Sequence, residues 1–131
     1  MVAAQVTEFP DTESAIMFYL MPQFSSIRFV TSMPTEITQM TAKIQRTSGA
    51  NRHIWIDEPI VEIDVWGDSS NTMAVSIAAR EIQAAMLSLA GHVVQNGVIQ
   101  HVETIAGPRR LAEVNPDLSR YNSTYLVRLH P

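Results

Sequence analysis

Residues 60–90 read IVEIDVWGDSSNTMAVSIAAREIQAAMLSLA, and two periods meet inside them. Up to Trp66 the chain alternates. Val61, Ile63 and Val65 fall on one side, and Glu62, Asp64 and Trp66 on the other. A period of two with one apolar face is the signature of a strand that buries one side. Gly67-Asp68-Ser69-Ser70-Asn71 then supplies turn formers and helix-capping side chains. From Thr72 to Ala90 the period changes to three and four, with Ala74, Ile77, Ala78, Ile82, Ala85 and Leu89 forming a stripe and Arg80, Gln83 and Ser88 lying off it. Gly91 ends the helix. A half-buried strand running through a tight turn into an amphipathic helix predicts a sheet with a helix packed on it.

Working outward, Asp11 is a suitable N-cap for a first helix over Thr12–Met21, which Pro22 ends because it has no N–H to donate. Ile27–Thr31 reads as a short strand. Residues 40–56 alternate around Ser48-Gly49-Ala50-Asn51, which predicts a hairpin or a protruding arm with its tip at those four residues. Val98–Ala106 and Tyr121–Leu129 read as two further strands, separated by a loop that carries Gly107-Pro108-Arg109-Arg110 and Asn115-Pro116. The order is best satisfied by a single α+β domain over residues 1–131. It has one mixed, mainly antiparallel sheet with two helices on one face, plus the hairpin or arm.

Composition narrows the function. The chain has 131 residues, 17% of them charged, and a net charge of −4. One lysine, Lys43, joins eight scattered arginines, of which Arg109 and Arg110 alone are adjacent. A protein that grips nucleic acid by its phosphates needs a basic stripe, and none is present. Without cysteine there is neither a disulfide frame nor a thiolate metal site. No apolar run approaches the roughly 18 residues of a membrane span. The N-terminal stretch Met1–Asp11 lacks the basic and apolar segments of a signal peptide. The expectation is a soluble protein made in the cytoplasm.

The candidates for chemistry are few. His53, His92, His101 and His130 are far apart and not at metal-ligand spacing, so no metal or other cofactor is expected. Glu62 and Asp64 share one strand face, and His101 and Glu103 another. Carboxylate pairs can do acid–base work, but a solvated or lumen-facing sheet looks the same. Gly67-Asp68-Ser69 lacks the second glycine and lysine of a phosphate cradle. No catalytic residue is assigned, and the chain is not read as an enzyme. Arg109 and Arg110 are either a partner contact or two solvated arginines. Trp66 is either an interface anchor or core, with core favoured.

Several stretches resemble the tail terminator (tail-to-head joining) proteins of long-tailed bacteriophages, especially those infecting actinobacteria. They are TSMP at 31–34, DEPIVEIDVWG at 57–67, NTMAVSIAAREIQAAMLSLAG at 71–91, GVIQHVETIAGPRRL at 97–111 and NPDLSRYNSTYLVRLHP at 115–131. The resemblance implies a small α+β subunit that assembles with itself into a six-membered ring. That ring caps the tail tube, ends its growth and docks the head, so its partners are the tube protein and a head completion or connector protein. DNA passes through the lumen only transiently, and no membrane is involved. The location implied is the head–tail junction of the virion. The family has no active site to transfer. Arg109 and Arg110 become candidates for partner contact, and Glu62 and Asp64 for lumen lining. A head completion or neck protein, and a small ligand-binding or enzymatic α+β domain, are the competing readings.

Overall fold

The computed structural model describes residues 8–53, 55–94 and 97–131, with backbone alone at 51–53. The N-terminal residues 1–7 and the imidazole of His53, both read above, lie outside the described residues. Helix α1 spans Thr12–Leu20 and α2 Thr72–Ser88. The strands are β1 (Arg28–Val30), β2 (Thr41–His53), β3 (Ile56–Asp68), β4 (Val93–Val94), β5 (Gly97–Leu111) and β6 (Leu118–His130). They form one six-stranded sheet in the order β1-β2-β3-β6-β5-β4. β1 and β2 pair parallel, and every other pair is antiparallel. This is the α+β class the sequence predicts.

Local chemistry sets the helix starts. The Asp11 carboxylate accepts the N–H of Glu13 and the hydroxyl of Ser14, which closes the first turn of α1. Asp68 accepts the Ser70 N–H, and Asn71 accepts the N–H of Ala74 at the start of α2. The Asp68 carboxyl is held below the usual carboxylate range by its bonds to the Ser70 backbone and hydroxyl. Gly91 follows α2 with φ of 87°.

The core lies between the helices and one face of the sheet. Ile16 and Leu20 of α1, Ala42 and Ile44 of β2, Val61, Ile63 and Val65 of β3, Ile99 and Val102 of β5, and Tyr125, Val127 and Leu129 of β6 enclose the buried face of α2. That face is Val75, Ala78, Ala79, Ile82, Ala85 and Met86, followed by Leu89. It is turned from the expected stripe: Ile82 and Leu89 are buried, but Ile77 is 42% exposed. The helix carries two apolar stripes, and alanines on both make the period alone ambiguous.

The expected hairpin tip is also corrected. Ser48–Asn51 do not turn. β2 continues to His53, which pairs with Ile56, and β2 and β3 together form the long hairpin. The turn formers sit instead at a bulge, where Arg46 pairs with Val61 and Ser48 with Ile60, leaving Thr47 extra. The cause lies across the ladder. Pro59 has no N–H to donate, and the β3–β6 register skips Glu58 and Pro59 between Asp57 and Ile60. Gly49 is paired with Pro59 and has φ of 109°; a Cβ there would run into the Glu58 carbonyl oxygen and the Pro59 Cα. Gly49→Ala is therefore expected to cost at least about 1–3 kcal/mol. Gly91→Ala, with open space around it, should cost the lesser amount of about 1–2 kcal/mol. Urea unfolding of the two variants tests the contrast, and equal losses would contradict it.

Candidate functional site

The face of the sheet turned away from the helices carries a connected polar cluster. Alternation on β3 aims Glu62, Asp64 and Trp66 there, and the register sets Lys43 of β2 and Asn122 of β6 on either side of Asp64. The Arg120 Nε and Nη2 both donate to Asp64 Oδ1 at 2.9 Å, and Asn122 Nδ2 donates to the same oxygen at 3.0 Å. The Asp64 carboxylate is thus buried beneath an arginine and engaged within its own chain. Glu62, the other expected lining residue, is half-buried between Gln45 and Thr124.

Trp66 is buried, at 4% exposure, but outside the helix-side core. Its indole N–H donates to Glu113 Oε2 at 2.9 Å. The Arg120 guanidinium lies 5.5 Å from the ring centroid and the Lys43 ammonium 5.8 Å, both within cation–π range. Two loops meet over this end of the sheet. The stretch from Met33 to Met40 and the stretch from Glu113 to Leu118 border adjoining grooves of about 390 and 320 Å³. Their carboxylates are Glu36, Asp68, Glu113 and Asp117. Sequence reasoning missed this closure, because Glu113 lies in a stretch without period and Arg120 is 54 positions after Trp66.

Two further ion pairs bury acids of β3. Arg46 grips Asp57 with two bonds of 2.8 and 3.0 Å, and Arg128 Nε donates to Glu58 at 2.7 Å. With Asp64, three arginines are committed to holding the long central hairpins together. They are not available to a partner as free charges.

Arg109 and Arg110 are not in a loop. β5 passes through the Gly107-Pro108 irregularity and ends at Leu111, with Arg109 paired to Asn122 and Arg110 to Tyr121. The strand absorbs Pro108 because the register slips between Ala106 and Arg109, where a missing donor breaks no regular pair. Paired residues share a face. Arg109 is therefore on the outward face with Asn122, and Arg110 on the helix side with Tyr121, which packs on the core. Both are exposed, but they do not act as one patch.

The remaining candidates stay apart. His92 meets Tyr19 edge to face at 5.0 Å, His101 lies 3.2 Å from Glu103, and His130 Nδ1 is 2.9 Å from the Pro131 carbonyl. Among the described residues no three His, Asp or Glu side chains converge as a metal site would require. No described helix is long and apolar enough to cross a membrane. On the core side, burial pushes the Tyr125 phenol up, with the Ser123 hydroxyl working the other way. The Tyr125 hydroxyl has no hydrogen bond of good geometry. Tyr125 does not line either of the grooves and packs in the helix-side core.

No protein-family model and no curated protein matches this chain. Solved structures do. A chain of the virion of a native gene transfer agent particle superposes with a TM-score of 0.70 at 11% identity, over 92% of this chain and 95% of its own. A second solved chain, which bears no functional name, gives a TM-score of 0.53 at 11% identity, over 90% of this chain and 92% of its own. At that identity the shared property is the fold, and it extends over nearly the whole of each molecule.

Proposed function

We propose that this chain is a structural virion protein of a phage-like particle, and within it the tail terminator. One observation carries the reading: the end-to-end likeness of fold to a chain in the virion of a gene transfer agent. The sequence resemblance to tail terminators agrees with it, and so does the way the side chains are spent. Buried acids and arginines pair with one another to fix long hairpins, while large apolar side chains remain outside. Rigid hairpins with exposed apolar groups suit a subunit that finishes its burial against neighbours.

In this reading the subunits form a closed ring, expected to be a hexamer, through a head-to-tail contact between unlike surfaces. One ring face binds the last ring of the tube protein, and the other receives a head completion or connector protein. DNA later crosses the lumen without being held, in keeping with a net charge of −4. On the outward sheet face Glu62 is the candidate for the lining, with Asp64 lying beneath Arg120 as a neutral pair. No catalytic step is assigned to the chain.

Particles made without the protein are expected to show heads separated from tails, with tails that run past their normal length. Electron microscopy decides it. Tails of normal length already joined to heads would sink the reading, whereas unjoined tails of normal length would point to a head-side connector instead. A milder test concerns Arg109 and Arg110. Reversing both charges should impair joining if this end of β5 is a contact. Stability should move by only about half a kcal/mol, because both side chains are exposed.

A further inference from the structure

Met73, Ile77, Arg80, Ala84 and Leu87 lie along the solvent side of α2 at alternating spacings of four and three. Met73 is 72% exposed, Ile77 42% and Leu87 44%, and the two residues between are exposed as well. This is the spacing of a helix seam that packs against another helix. The surface has the matching shape. A shallow concavity of about 320 Å³ on this face is lined by Ile77, Arg80, Glu81 and Ala84. Those are positions i, i+3, i+4 and i+7, the four residues that form a hole for a side chain of a facing helix. Ala84 is the small residue that leaves the hole open.

We infer that this face is a self-association surface, and that its occupant is α2 of a second copy, laid antiparallel about a two-fold axis. The hole and a suitable knob are on the same helix. Ile77 of each copy can enter the hole of the other, and Met73 then lies over the partner copy's Ala84. The charges are self-complementary too. Arg80 and Glu81 flank the hole, so an antiparallel pair brings the guanidinium of each copy within reach of the carboxylate of the other, twice. Within its own chain Arg80 makes one long bond, from Nε to the Ser76 carbonyl at 3.4 Å, and among the described residues neither Arg80 nor Glu81 has an ion-pair partner.

A two-fold contact closes with two copies, whereas the head-to-tail contact of a ring closes only with the full ring. It therefore defines a separate form of the subunit, a dimer that covers the stripe before assembly. The contact involves one helix face and sits at the small end of specific interfaces, so it forms and releases readily.

Sedimentation equilibrium of the full chain over a wide concentration range tests this, with far-ultraviolet circular dichroism confirming that each variant is folded. The wild type should approach dimer mass as concentration rises. Arg80→Glu and Glu81→Arg should each weaken association about tenfold, since each variant turns two attractions into two repulsions. The double variant Arg80→Glu/Glu81→Arg should restore it, and Ile77→Asp should abolish it. A wild-type chain that stays monomeric throughout overturns the inference. So does a double variant no stronger than the singles. An oligomer of ring mass that ignores Ile77→Asp also overturns it, while leaving the tail terminator reading intact.

Discussion

Ile82→Ala is expected to destabilise the fold by about 2–5 kcal/mol. The side chain is fully buried, between Ala78, Ala79, Ala85 and Met86 of its own helix face and the apolar sides of the strands beneath α2. Small alanines around it cannot expand to refill the space, so much of the penalty comes from the cavity rather than from lost transfer energy alone. A domain of this size has roughly 5–15 kcal/mol in total, so the variant should unfold at a much lower urea midpoint, with the slope of the transition unchanged. Ile77→Ala is the control. It lies on the same helix one turn and a residue earlier, but outside the core, and should move stability by about half a kcal/mol in the monomer. Equal losses for the two would mean that α2 presents a different face to the sheet.

That contrast also marks the limit of what the sequence discloses. The strand Ile60–Trp66 and the helix after it were legible because each carries a strong period and a clear cap. By period alone Ile77 reads as core, because Ala74, Ile77 and Ala78 make as good a stripe as Val75, Ala78, Ala79 and Ile82. Only the packed sheet distinguishes them. Ser48-Gly49-Ala50-Asn51 has the composition of a turn, yet its conformation is dictated by Pro59, a residue paired across the ladder rather than nearby in sequence. Arg109 and Arg110 read as loop residues for a similar reason. Gly107-Pro108 normally ends a strand, but a strand with register slips can continue through it. The candidate site was legible in part. Alternation put Glu62, Asp64 and Trp66 on one face, and they are there. Nothing local could reveal that Arg120, Asn122 and Glu113 would close over them, since those contacts bridge 47 to 58 positions in the sequence.

The closure over Asp64 supports the second large prediction, a loss of about 3–5 kcal/mol for Arg120→Ala. The Asp64 side chain is 4% exposed, so once Arg120 is removed its charge has neither water nor a full partner. Asn122 still donates one bond to Oδ1, and Lys43 is the neighbour across β2, but its ammonium is engaged over the Trp66 ring. The same substitution uncovers Trp66 by removing the cation stacked on it. Asp64→Ala should cost less, because the Arg120 side chain is already 30% exposed and can turn towards solvent. The asymmetry follows from burial: removing the partner of a buried charge is worse than removing the buried charge itself. Replacing both, as Asp64→Leu with Arg120→Met, should recover only part of the loss, since the buried Asn122 amide then loses its acceptor. Urea unfolding of the four proteins gives the result directly. An Arg120→Ala variant within about 1 kcal/mol of wild type would show that the pair contributes little, and that the outward face is held by the backbone ladder alone.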